Sequence, residues 1–108
     1  MKRVLTLGIC LLLIIPVFLS AQSVEELIAA GDSLHEERQP EAALEKFLAA
    51  EEMQPENVDI LWRISREYYD TGNTLSKDEQ AEYYLNAEKY ARRAVAVDST
   101  SADAHLWV

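Results

Sequence analysis

From residue 24 to residue 57 the chain reads VEELIAAGDSLHEERQPEAALEKFLAAEEMQPEN, a stretch of 34 residues whose pattern starts again at Val58. Leu27, Ile28, Gly31 and Leu34 recur at helical spacing, as do Ala43, Leu44, Phe47, Leu48 and Ala50 further on. Between the two runs, HEERQ is polar, and Pro40 stands where a helix opens, because its missing N–H is an orphan there in any case. Ser23, followed three residues later by Glu26, has the form of a capping box for the first helix. Pro55 stops the second helix. The pattern predicts two antiparallel helices joined by a short turn, and no strands.

Register makes this more specific. With Val24 as the first position, Leu27, Gly31, Leu34, Ala43, Phe47, Ala50 and Pro55 fall where the tetratricopeptide repeat has its defining residues, and the unit resembles that family. Gly31 and Ala43 are small enough for two helices to approach, while Phe47 and the leucines fill the space beside them. The resemblance implies an all-α fold in which helix-turn-helix repeats stack as a right-handed solenoid.

The second unit falls out of phase. Leu61, Ile64, Ser65 and Tyr68 take the places of Leu27, Ala30, Gly31 and Leu34, with Asn57 as cap, but Ala87, Ala91 and Ala94 arrive ten residues late. The excess lies in DTGNTLSKDEQAEYY, residues 70–84, where Ser76 and Glu79 form a second capping-box pattern. TGNTL reads as the turn, and residues 77–97 contain neither glycine nor proline, so the expectation is one lengthened helix. Tyr83, Tyr84 and Leu85 on the added part are expected to pack on Tyr68 or Tyr69, or on parts of the longer protein. Residues 102–108 open a third unit and break off. The organisation is therefore a repeat domain over 24–108, with units at 24–57, 58–101 and 102–108, read as the N-terminal piece of a longer protein.

LWRISR at 61–66, SKDEQ at 76–80, EKYARRAVAVD at 88–98 and the His-x-Trp of His105 and Trp107 together resemble the regulator of microtubule dynamics family, an atypical tetratricopeptide array. That resemblance implies a helical scaffold with no known catalytic residues. Its microtubule association is not carried over to this chain, because of how the chain begins. Lys2 and Arg3 precede the apolar run VLTLGICLLLIIPVFL and small residues follow, which is the order of a signal peptide over residues 1–23, cut after Ala21 or Ser23. The alternative is an uncleaved anchor, although the run falls short of the roughly 17–25 residues that span a bilayer. Cys10, the single cysteine, lies within this segment. The expected location is periplasmic or extracellular, or N-terminally membrane-anchored.

A formal charge of −9 excludes a nucleic-acid partner, which needs a basic field to displace counterions from phosphates. No nucleophile elbow or glycine-rich phosphate loop is present, so the chain is expected not to be an enzyme and to need no cofactor. His35 and His105 lack further ligands at metal spacing; His35 reads as a solvated helix end and His105 as a packed residue between repeats. The paired acids Glu25/Glu26, Glu36/Glu37 and Glu51/Glu52 point about 100° apart on a helix and read as solvated faces.

The candidate site is a peptide-binding groove. The first helices of tetratricopeptide units line the concave face, and the second unit presents Asp59, Trp62, Arg66 and Tyr69 there, with Arg63 on the rim. Aromatics and arginines dominate interface energetics, and two arginines one turn apart suit a carboxylate, so the expected partner is an acidic or C-terminal peptide segment. The competing reading is local. Asp59 with Arg63, Arg63 with Glu67 and Arg66 with Asp70 are all four apart and would merely steady the helix, while Trp62 would be core against Trp107. A structural spacer or dimerisation module for a further domain beyond Val108, possibly an enzyme, is the alternative function.

Overall fold

A computed structural model describes residues 22–98. The expected signal segment, apart from its last two residues, and the third unit with His105 and Trp107 lie outside the described residues. Four helices follow one another: α1 (Val24–Glu36), α2 (Pro40–Met53), α3 (Val58–Gly72) and α4 (Lys77–Val97). Among the described residues there is no strand, and each helix packs on its neighbour in sequence. The fold is all-α.

The local chemistry follows the sequence closely at three of the four helix starts. Ser23 Oγ accepts from the Glu26 N–H at 3.1 Å, Pro40 opens α2, and Asn57 Oδ1 accepts from the Asp59 N–H at 2.9 Å. The fourth start differs. Ser76 stands at the N-cap of α4, but its hydroxyl caps nothing; its carbonyl accepts from Glu79 and Gln80 instead. Thr71 and Gly72, expected in the turn, still belong to α3, and the turn is held by the Thr74 hydroxyl on the Thr71 carbonyl at 2.7 Å.

The α1–α2 turn closes in a way that the sequence does not announce. Arg38 has φ 59°, the left-handed region that usually calls for glycine. Its N–H bonds the His35 carbonyl at 3.0 Å and the Gln39 N–H bonds the Leu34 carbonyl at 2.9 Å, which together make a Schellman closure.

Two apolar clusters hold the helices together. In the first, Val24 and Leu27 of α1 meet Ala43, Leu44, Phe47 and Ala50 of α2 and Ile60 and Ile64 of α3. Gly31 is what allows this closeness, because a Cβ there would stand 2.4 Å from the Phe47 ring. The second cluster centres on Leu61 and Ala94, with Val58, Trp62 and Val95 around it, and Tyr90 touches both.

The ten extra residues lengthen α4 to 21 residues, against 14 in α2. Its first turns carry Tyr83 to 5.9 Å from Tyr68 and Tyr84 to 5.3 Å from Tyr69, between ring centroids. These aromatics pack on Tyr68 and Tyr69 as expected, while Leu85 is 66 % exposed.

Candidate functional site

The face shared by α1 and α3 carries most of the charged chemistry. The competing reading paired residues four apart on α3, but Arg63 reaches across to α1 and Arg66 turns to its immediate neighbour on the same helix. Arg63 donates through Nε and Nη2 to the two carboxylate oxygens of Asp32 on α1, at 2.9 and 3.2 Å. Its remaining contact to Asp59 is with the backbone carbonyl, at 2.8 Å, and not with the carboxylate. Arg66 Nε donates to Glu67 Oε2 at 2.6 Å rather than pairing with Asp70.

Around these pairs lies Trp62. The Arg63 and Arg66 guanidinium carbons sit 4.7 and 5.0 Å from its ring centroid, a cation–π arrangement in which the indole steadies both charges. The Trp62 Nε1–H and the Arg66 Nη2 are both buried and have no hydrogen-bond partner among the described residues. Asp32 Oδ1 lies 3.8 Å from Arg66 Nη2, near enough for charge attraction and too far for a hydrogen bond.

Of the five groove residues expected from sequence, Trp62, Arg63 and Arg66 thus form one cluster, joined by Asp32, which sequence reasoning missed. Its partner Arg63 lies 31 residues away, so no local spacing announced it. Asp59 is exposed at the start of α3, and Tyr69 is 46 % exposed against Tyr84. Trp62 also packs beside the Leu61–Ala94 cluster, so it is shared between surface and core. The expected contact with Trp107 falls outside the described residues.

One turn further along, His35 is not the solvated helix end that its glutamate neighbours suggested. Its Nδ1 is 2.9 Å from Glu67 Oε1 and 3.9 Å from Asp70 Oδ2. Glu67 is completely buried and answered on both oxygens, by His35 and by Arg66. The three side chains bring one ligand atom each within 4.8 Å. With Arg66 on the same carboxylate, the arrangement is a hydrogen-bonded strut between α1 and α3. An open cleft of about 540 Å³ lies over it, walled also by Glu36, Arg38, Pro40, Asn73 and Thr74.

A second strut joins α2 to α4 and corrects the reading of Glu51 as solvated. Tyr90 donates its hydroxyl to Glu51 Oε1 at 2.9 Å, and Arg93 donates to Oε2 at 2.8 Å. Burial first, then the hydrogen bond and charge of Glu51, push the Tyr90 pKa up to about 12. Burial opposes the Arg93 charge, but Glu51 outweighs it and its pKa rises. Tyr68 is raised as well, by burial and then by Glu51.

The family model described as regulator of microtubule dynamics protein 1-3 matches residues 27–108. The chain is 28 % identical over 86 residues to regulator of microtubule dynamics protein 1 of Bos taurus, covering 78 % of this chain and 26 % of that protein. It is 30 % identical over 89 residues to protein 3 of Rattus norvegicus, covering 80 % of this chain and 19 % of that protein. Protein 1 of Mus musculus is 30 % identical over 86 residues, 78 % of this chain and 28 % of its own length. The chain thus spans between a fifth and somewhat over a quarter of these relatives. No solved structure matches it.

These matches correct one expectation from the sequence. A periplasmic or extracellular location conflicts with relatives named for the control of microtubules, which are polymers of the cell interior.

Proposed function

Since the chain belongs to the regulator of microtubule dynamics family, we propose that it is a non-catalytic protein-interaction module built of tetratricopeptide-type hairpins in a right-handed stack. On this reading it takes an acidic or C-terminal peptide segment on the face of Trp62, Arg63 and Arg66, with Asp59 and Tyr69 at the two ends of the same helix. The 34-residue period, the antiparallel hairpins and the Gly31–Phe47 approach support the repeat type.

The observation that carries the binding proposal is a pair of donors without acceptors among the described residues, the Trp62 Nε1–H and the Arg66 Nη2. A buried donor left unmatched costs about 1–3 kcal/mol, which a ligand oxygen recovers. The chemistry suits oxygen-rich anions over other ligands, because both groups only donate. Net charge argues the same way for short-range recognition: at −9 the chain as a whole repels acidic peptides, so affinity has to come from the local contacts.

The relatives' name makes proteins that set microtubule dynamics the first place to look for the partner. The test is a library of short peptides with free C-termini, screened against the wild-type chain and the double variant Trp62→Phe with Arg63→Gln, which leaves the Arg66 pair to the buried Glu67 in place. Binding lost in the variant at an unchanged melting temperature supports the groove. Equal binding by both sinks it.

A further inference from the structure

We infer that Asp32 is a built-in occupant of the carboxylate site formed by Arg63 and Arg66, and that a partner's carboxylate binds by displacing it. This inference rests on the groove reading above and adds how that groove is regulated.

The geometry is that of a ligand already in place. Arg63 holds the Asp32 carboxylate at two points, 2.9 and 3.2 Å, which is how a guanidinium receives an incoming carboxylate. The match to the second arginine is incomplete: Arg66 Nη2 stops at 3.8 Å and has no hydrogen bond to Asp32 or to any other described residue. Asp32 is the short side chain of a fixed helix, and from α1 it satisfies one guanidinium only. A free carboxylate, not tethered to α1, has no such constraint and can take both arginines at once. The indole N–H of Trp62, in the same cluster and also unmatched, supplies one more donor.

Exposure identifies the member that moves. The Asp32 side chain is 40 % exposed, while those of Arg63 and Arg66 are 19 % and 14 % exposed and rest against Trp62. Swinging the aspartate into water disturbs no apolar contact, whereas moving either arginine strips its cation–π contact. The cluster is therefore a fixed cationic floor with a movable anion on top. An empty pair of guanidiniums would attract any small anion; Asp32 sets a threshold that only a ligand reaching Arg66 and Trp62 passes.

Removing the competitor should tighten binding by about the worth of a partly exposed ion pair, roughly 2- to 5-fold. The probe is the best binder from the free-C-terminus library, together with its C-terminally amidated form. Affinity is measured by titration calorimetry on the wild-type chain, Asp32→Asn, Asp32→Ser, Arg66→Gln and Glu45→Gln, with folding of each checked by circular dichroism. Glu45 is an exposed acid on α2 and controls for net charge.

The expected result is tighter binding of the free-carboxylate peptide by both Asp32 variants, weaker binding by Arg66→Gln, and no change for Glu45→Gln. Amidation should erase the gain. If the wild type binds and Arg66→Gln weakens it, but the Asp32 variants bind no tighter, Asp32 merely positions Arg63; the inference fails and the groove stands. An equal gain in Glu45→Gln also overturns it, as a general charge effect. If no library peptide binds either the wild type or the folded Asp32 variants, the groove reading itself fails.

Discussion

His35 closes on Glu67 across the seam between α1 and α3, with Nδ1 2.9 Å from Oε1 of a carboxylate that has no exposure at all. A carboxylate in that position is tolerable only while its partners stay, and Arg66 at 2.6 Å supplies the second. The Glu67–Arg66 pair is therefore expected to behave as a buried ion pair, in which loss of one member strands the other.

Replacing Glu67 with alanine removes the anion and leaves Arg66, 14 % exposed, with Asp32 at 3.8 Å as its nearest carboxylate among the described residues. We expect a loss of about 3 kcal/mol in urea unfolding. His35→Ala, which leaves the Arg66 pair intact and changes a half-exposed side chain, should cost less than half as much. Equal losses in the two variants would show that the imidazole, and not the guanidinium, holds the buried charge.

The Tyr90–Glu51 bond makes stability sensitive to alkali. An unfolded phenol loses its proton around 10.0, and the folded one holds it up to about 12. Between these values the folded chain binds a proton that the unfolded chain has released, so stability falls as pH rises. It is whole below pH 10 and drains toward pH 12. Urea midpoints measured across this window should decline in the wild type and decline less in Tyr90→Phe, which has no proton to lose. Tyr68, shifted the same way, leaves a residual slope in that variant.

Much of this architecture is legible in the residues alone, and the reason is that helix propensity, capping and 3.6-residue periodicity act locally. Ser23, Pro40 and Asn57 sit at helix starts because their chemistry leaves few other places for them. The long α4 is legible for the same reason, since no residue from 77 to 97 interrupts it. What stayed hidden is what depends on two distant segments meeting. Spacing on α3 suggested partners four residues away for Arg63 and Arg66, yet Asp32, 31 residues upstream, captures the first and Glu67, the next residue, captures the second. Glu51 looked solvated because it and Glu52 point about 100° apart on the helix, yet Tyr90 and Arg93 answer it across the fold.

Arg38 is the other hidden feature. HEERQ contains no glycine, yet the closure of α1 places Arg38 at φ 59°. A side chain there meets the steric cost of the left-handed region, about 1–2 kcal/mol, partly offset by the chain entropy that glycine would lose. Arg38→Gly is thus expected to stabilise the chain by up to about 1 kcal/mol, while Arg38→Val should destabilise it, because a branched Cβ fits this region worst. Thermal melts of the three proteins decide it; Arg38→Gly melting lower than the wild type would mean that the Arg38 side chain contributes more than its backbone costs.

Gly31 offers the opposite case, a glycine whose φ is ordinary and whose value is purely spatial. A Cβ added there meets three carbons of the Phe47 ring at 2.4, 2.6 and 2.8 Å. Phe47 is fully buried and cannot turn aside without opening the first core cluster. In a helix, alanine gains about 1 kcal/mol over glycine in propensity, and overpacking a core typically costs about 1–3 kcal/mol. The clash should win, giving Gly31→Ala a net loss of about 1–2 kcal/mol. Pairing it with Phe47→Leu separates the two terms. The smaller ring-less side chain frees the space that the new methyl needs, so the double variant should lose less than the two single losses combined. Strict additivity in that cycle would mean that α1 and α2 are not held apart at this point by Phe47.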